Sequence, residues 1–550
     1  MKNQYLAIIL FLFLGHSAFA QPALAWQRAY NGPPDQGDEA VSIAVDTAGN
    51  SYVTGSAFGS NSTLDIVTIK YSPTGQQLWL QSYSGTANDN DQGVKLVIDD
   101  SANVYVTGYS NNSGTGNDIT TIKYNTAGVQ QWARIYSGAF NGPDHGASVA
   151  VDGNGNVFVT GYETTSNFNY TDMVTIMYNA GGTQQWADIY NGAGSANDVG
   201  VDIVNDGAGN TYVVATSDTM YMSAPNNDIV LIKYNNAGAR VWRRVYASPT
   251  YSYDVARRMC LDRNGNVFIC GYGGLVNEGN NYYTLKYNSA GVRLWVQFYN
   301  YAVNTYEQPW GIIADSLGNV IVTGQGVTTA SSPFNDYVTV KYSSAGVFQW
   351  AARFNGAGNN NDYAYAVALD DSLNIFVTGT SKGTSATGYD IATVKYNAAG
   401  TQKYVLLFNN TANKDDAGNA IVVKNSDIYI TGRSSNLTND DYITLRYSYS
   451  AVGINEHVAA PVSLEVFPNP SSGELHVVVF TDQSAFLEGY SYVITNALGQ
   501  DVKKGAALPE ESIGTKSSLG INTQGLETGV YFVTIYSRTG IAGKSKFIIK

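Results

Sequence analysis

The stretch DIVTIKYSPTGQQLWLQSYSG, residues 65–85, decides the fold, because its skeleton recurs along the chain. Tyr71, preceded by a Lys, is followed within four residues by Gly and, eight residues on, by Trp79. Equivalent tyrosines are Tyr124, Tyr178, Tyr234, Tyr287, Tyr342, Tyr396 and Tyr447, spaced 51 to 56 residues apart. A fixed period of this length marks a repeat architecture of stacked supersecondary units. The eight copies run from Trp26 to Tyr447.

Outward from that stretch, each repeat divides into four short β segments. In the first they are WQRAY (Trp26–Tyr30), AVSIAVD (Ala40–Asp46), NSYVTG (Asn50–Gly55) and DIVTIKY (Asp65–Tyr71). Period-2 alternation bounded by Gly, Asn and Asp is the strand signature. The turn D-x-x-G-N recurs, its Gly supplying positive φ and its Asp bonding back to the local backbone. Four antiparallel strands repeated radially predict a β-propeller blade. The small, apolar AVSIAVD segment is expected innermost, where the axis is crowded, and the Trp strand outermost. The first blade then starts near Ala40. The stray strand Trp26–Tyr30 completes the last blade, which removes an exposed sheet edge. The count is eight blades. Seven is the alternative, because Tyr404 stands where other units have Trp.

The D..GNVYVTG hairpin and the D..T.KY...G...W segment closely resemble the bacterial SBBP (seven-bladed β-propeller) repeats, over residues 26–447. The resemblance implies a secreted propeller and carries no common reaction with it. The eight copies here depart from the number in the family's name.

The ends of the chain point to export. Lys2, the apolar run Leu6–Leu14 and Ala18–Ala20 (AFA) form a secretory signal peptide, with cleavage expected after Ala20. No other apolar run approaches the roughly 20 residues a membrane helix needs. Charged residues are 14% of the chain, against 57 Gly and 41 Tyr, a balance that favours an all-β protein. A net charge of −13 argues against nucleic acid as a partner. Residues 463–550 hold eight acids and seven bases, so the excess lies in the repeats.

After Tyr447 the period stops. A polar linker at 448–462 leads to residues 463–550, where short alternating strands separated by Gly, Pro and Asn predict a small Ig-like β-sandwich. Pro468-Asn469-Pro470 with Gly473, the turn at Gly499, Gly529-Val530-Tyr531 and the closing KFIIK resemble the type A C-terminal sorting domain of the Bacteroidota type IX secretion system. The resemblance implies that the type IX machinery is a partner and that the cargo reaches the outer-membrane cell surface or the extracellular space.

Catalytic constellations are sparse. The chain after Ala20 has three histidines, His145, His457 and His476, and no HExxH, nucleophile elbow or phosphate-binding loop. His145 reads as a variable surface position. Cys260 and Cys270 flank one hairpin, where a cross-strand disulfide and two inert thiols are both compatible with export. Every repeat carries an acid eight residues before the end of its inner strand: Asp38, Asp91, Asp144, Asp198, Asp254, Glu307, Asp362 and Asp416. Such a ring near the axis is a candidate site for a hard cation such as calcium. The competing reading is that each acid caps its own turn. A second row, Asp65, Asp118, Asp172, Asp228, Asn281, Asp336, Asp390 and Asp441, together with the following Lys or Arg, reads as blade-internal pairing. Divergent loops at 163–172, 217–228 and 246–254 carry aromatic and amide side chains suited to ligands. The expectation is a noncatalytic, exported scaffold without a cofactor that binds an extracellular glycan or protein. The alternatives are a polysaccharide-degrading enzyme or a structural surface component.

Overall fold

A computed structural model of the chain describes residues 21–166, 170–193, 196–218, 226–248, 253–275, 279–300, 305–329, 332–383, 388–449, 463–471, 473–480, 490–496, 500–507, 509–513, 516–537 and 540–550. The expected signal peptide, Gly499 and the middle of each divergent loop lie outside the described residues. The described residues are all-β and fall into two compact units, divided between Tyr449 and Ser450. None of them forms a helix long and apolar enough to cross a membrane.

The first unit is a propeller of eight four-stranded blades. Blade 1 runs from its inner strand Glu39–Val45 through Ser51–Phe58 and Leu64–Tyr71 to its outer strand Gln77–Tyr83, all antiparallel neighbours. Blades 2 to 7 repeat this order, blades 5 and 6 being joined by a short parallel contact, Gly279 and Asn280 against Thr305 and Tyr306. Blade 8 takes three strands from Asp416–Lys424, Asp427–Ser435 and Asp440–Ser448, and its outer strand is Ala23–Tyr30 from the start of the chain. Each inner strand packs on the next, and the eighth packs on the first. The ring is closed at eight, and the seven-bladed alternative is set aside.

The D-x-x-G-N turn shows why its sequence recurs. Asp46 Oδ1 accepts from the N–H groups of Ala48 (3.0 Å) and Asn50 (2.8 Å), and Oδ2 accepts from Asn50 Nδ2 (2.7 Å) and Tyr52 Oη (3.0 Å). Gly49 sits at φ 83°, a conformation that a side chain disfavours. One carboxylate therefore organises the whole hairpin end.

The Trp of each repeat acts on the following blade. The Trp79 ring in blade 1 lies against Gly128 in blade 2, so closely that a Cβ there would stand 2.7 Å from it. The indole N–H donates to Thr126 O at 3.2 Å. Trp132, Trp186, Trp242, Trp295 and Trp350 repeat the contact one blade further each time, and Trp26 makes it from blade 8 to blade 1 through Gly75 and Pro73 O. The Lys of the third strand reaches the same turn: Lys70 Nζ donates to Thr126 O at 3.0 Å and Arg446 Nη1 to Pro73 O at 2.5 Å. These bases pair within their own blades as expected, Lys341 with Asp315 at 3.2 Å and Arg446 with Asp427 at 2.6 Å, and they also tie neighbouring blades together.

Blade 7 is the exception that the seam explains. Among the described residues blade 8 has no turn after its third strand for an indole to cover. Tyr404 instead places its hydroxyl 2.5 Å from that of Tyr449, which also accepts from Lys395 Nζ at 2.7 Å. Tyr449 thus belongs to the propeller, two residues beyond the boundary expected from the last anchor.

The second unit faces two four-stranded sheets over one apolar core, built from Leu475, Val477, Leu519 and Ile521 on one side and Ile494, Val533, Ile535 and Phe547 on the other. This is the expected β-sandwich.

Candidate functional site

The eight repeated acids stand at the mouths of the inner strands, as their spacing predicts, and all are at most 1% exposed. The seven aspartates of the ring accept from backbone N–H groups beside the entry to their inner strands. Asp91 accepts from Gly85 N–H (2.6 Å) and Asn111 N–H (2.7 Å), Asp144 from Gly138 (2.5 Å) and Thr164 (2.8 Å), and Asp362 from Gly356 (2.8 Å) and Lys382 (2.9 Å). Asp38 holds Gly32 and Phe58, Asp198 holds Gly192, Asp254 holds Ser248, and Asp416 holds Asn410. Glu307 is equally buried. Burial raises these carboxyls despite the N–H donors: Asp91, Asp144 and Asp416 are pushed up to about 6 and Asp254 to about 7. Among the described residues no three His, Cys, Asp or Glu side chains come together to hold a metal ion. The geometry is that of turn caps rather than of an open cation ring.

The second acid row does pair within its blades: Asp65 accepts from Ser82 Oγ (2.9 Å), Asp118 from Asn112 Nδ2 (3.0 Å) and Thr115 Oγ1 (2.6 Å), and Asp441 from Asn436 Nδ2 (3.1 Å). His145 is not a loose surface position. Its ring stacks between Tyr109 (3.9 Å between centroids) and Tyr162 (5.0 Å), with Asn117 Nδ2 3.3 Å from its Nε2, and burial lowers its pKa. Cys260 and Cys270 are free and lie opposite Phe268 and Arg258 rather than each other; burial pushes the Cys270 thiol up to about 12.

In the sandwich unit the Pro468-Asn469-Pro470 segment is stitched to the closing strand. Asn469 Oδ1 accepts from Ile548 N–H (3.0 Å), and Ser471 N–H donates to Ile548 O (2.7 Å). Gly473 O accepts from Thr523 N–H at 2.8 Å, Gly529 opens the penultimate strand, and Tyr531 stacks on Phe547. The resembling motif is therefore one connected patch of structure.

Sequence reasoning missed the axis itself. In every blade the inner strand carries a bulge two to four residues after the ring acid, as between Ala40 and Ser42 or Gly93 and Lys95. Gly55 opposite the bulge has no room for a Cβ against Glu39 O and Ala40. The bulge positions line an axial cavity of about 250 Å³. Blades 2, 4, 5, 6 and 7 contribute Lys95, Asp202, Arg258, Trp310 and Tyr365 there, beside small and aliphatic residues such as Val41, Gly311 and Ala420. A second cavity of about 400 Å³ shares Lys95, Asp202 and Met259 with the first and adjoins it; the axial channel denotes the two together. Asp202 is fixed by Ser148 Oγ (2.8 Å) and Met259 N–H (3.0 Å). Burial lowers the Lys95 amine, with Asp202 opposing and Arg258 adding to the shift. The signal for this site was available: these are the inner-strand positions where the repeats stop resembling one another.

Comparison with known proteins agrees with the two halves. Residues 32–61, 131–169 and 349–385 match the β-propeller repeat (SBBP) family, and residues 465–550 match the secretion system C-terminal sorting domain. An uncharacterized WD repeat-containing protein of Acanthamoeba polyphaga mimivirus is 24% identical over 483 residues, 81% of this chain. The chain spans about a third (32%) of that relative's length. Among solved structures, the WD40 domain of SCAP from fission yeast is similar at TM-score 0.41 and 10% identity, over 77% of this chain and 95% of that one. The β-propeller domain of the Trilobed protease from Pyrococcus furiosus is similar at TM-score 0.36 and 8% identity, over 71% and 94%. The chain is a secreted β-propeller protein built of SBBP repeats and ending in a type IX C-terminal sorting domain.

Proposed function

We propose that the propeller is a noncatalytic scaffold that binds an extracellular glycan or protein once the sorting domain has delivered it to the cell surface or medium. The observation that carries the reading is the use made of the repeated acids. All eight are buried and the seven aspartates are committed to backbone N–H groups, which makes them part of the frame and ill-placed to act as general acid or base on a polysaccharide. A rigid, closed frame with variable connections is how propellers acquire ligands without acquiring chemistry. In this reading calcium has no structural part at the ring.

The test is binding of the mature chain, residues 21–550, to a broad glycan array and to surface proteins, in calcium and in chelator. Specific hits that survive chelation are expected, without turnover of the bound glycan. Cleavage of a bound polysaccharide, or a blank result on both arrays, would overturn the reading.

A further inference from the structure

The axial channel breaks the symmetry that the rest of the propeller keeps. Its charged and aromatic residues come from five different blades, and the charges do not cancel. Among the described residues the Lys95 ammonium has no hydrogen bond or ion pair within 4 Å, and Arg258 bonds only the neighbouring Arg257 carbonyl, at 3.3 Å. Asp202, the acid beside them, already accepts three hydrogen bonds, from Ser148, Ile203 and Met259. A second guanidinium, Arg257, lies 4.1 Å over the face of Trp310 and 5.0 Å over that of Tyr272, which stiffens the aromatic wall. Trp310 in turn meets Tyr365 edge to face at 6.3 Å.

Two cations, Lys95 and Arg258, against one committed carboxylate, Asp202, leave the cavity lining positive, within a chain of net charge −13. Lys95 is half-buried without a partner and Arg258 is exposed, so the cavity wall presents two cations that an anion inside it can pair. A chamber of about 250 Å³ is at the small end of ligand pockets, so it takes a single sugar-sized molecule and excludes a polymer.

We propose that the axial chamber binds a small carboxylate of monosaccharide size, a hexuronate, with its carboxylate between Lys95 and Arg258 and its ring against Trp310 and Tyr365. This rests on the reading of the propeller as a binder and names a class of ligand for it. The aromatic pair supplies apolar contact and the two cations supply charge selection; neither part of the constellation is repeated around the ring.

Calorimetric titration of the mature chain with D-glucuronate and D-galacturonate, against D-glucose as the uncharged analogue, tests it. Binding of at least one hexuronate, at least tenfold tighter than glucose, is expected. K95Q and R258Q should each weaken it at least tenfold with an unchanged melting temperature, since neither side chain ties blades together. R258K, which keeps the charge, should retain more affinity than R258Q. No hexuronate binding, equal affinity for glucose, or binding unchanged in K95Q and R258Q would overturn the proposal. Array hits with an empty chamber would sink this inference and leave the scaffold reading standing; a filled chamber with blank arrays would do the reverse.

Discussion

Trp26 holds two junctions at once, and removing it measures what closes the ring. It sits in the strand that completes blade 8 and lies 7% exposed between Gly75 of blade 1, Tyr71 and Tyr429. Trp26→Ala deletes that packing and the indole bond to Pro73 O, and large-to-small losses of this kind cost about 3–5 kcal/mol. For a propeller of roughly 430 residues unfolding as a unit, an entropy near 2.1 cal/mol/K per residue converts this to a drop of about 4 °C in melting temperature. Trp26→Phe keeps most of the ring. Because Arg446 still donates to the Pro73 carbonyl, it should lose only about 1 kcal/mol, or about 1 °C. Leu24→Ala, in the same strand but exposed, is the control. The assay is thermal unfolding of the mature chain followed by circular dichroism. A Trp26→Ala midpoint no lower than that of the Leu24→Ala control would refute the argument that this strand and its indole lock the ring.

Three further outcomes are expected. Residues 21–449 should melt above residues 21–447, because the shorter form loses the hydroxyl that Tyr404 and Lys395 share; equal midpoints would detach Tyr449 from the propeller. Stability should rise as pH falls from 8 to 5. Asp91, Asp144, Asp416 and Asp254 have folded-state values raised to about 6 to 7 above an unfolded value near 3.9, so in that window the folded state binds more protons and the unfolding free energy increases on acidification. A melting temperature that falls over this range, or a dependence untouched in Asp254→Asn, would contradict it. Asp362→Ala should destabilise by about 2–3 kcal/mol by releasing two buried N–H groups, and calcium or chelator should leave the parent's melting curve in place; a calcium-dependent rise lost in Asp362→Ala would restore the cation ring.

The strand order, the eightfold count and the closure by Trp26–Tyr30 were legible because period-2 alternation and turn residues report structure within one unit. What the indole covers was not, since its acceptor lies 47 to 50 residues away in the next copy, beyond any local pattern. Aligning the Gly of one repeat under the Trp of the previous one would have exposed it. Tyr404 looked like a lapse in the repeat and instead meets Tyr449 after blade 8. The ring acids were found with two uses left open, because a cap and a cation ligand demand the same side chain and burial distinguishes them. His145 was misplaced for a related reason: its two stacking tyrosines come from neighbouring blades. The channel went unread because repeat analysis attends to what recurs, and Lys95, Asp202, Arg258 and Trp310 are informative by not recurring.

The pairing of Ala23–Tyr30 with Asp440–Ser448 also sets an order in time. The strand Ala23–Tyr30 has its partner roughly 400 residues later, and contacts so distant in sequence form slowly. Until the third strand of the last blade is available, the growing array is an arc with an unpaired edge at each end, the condition most prone to association with other chains. Closure is thus the concluding event of folding.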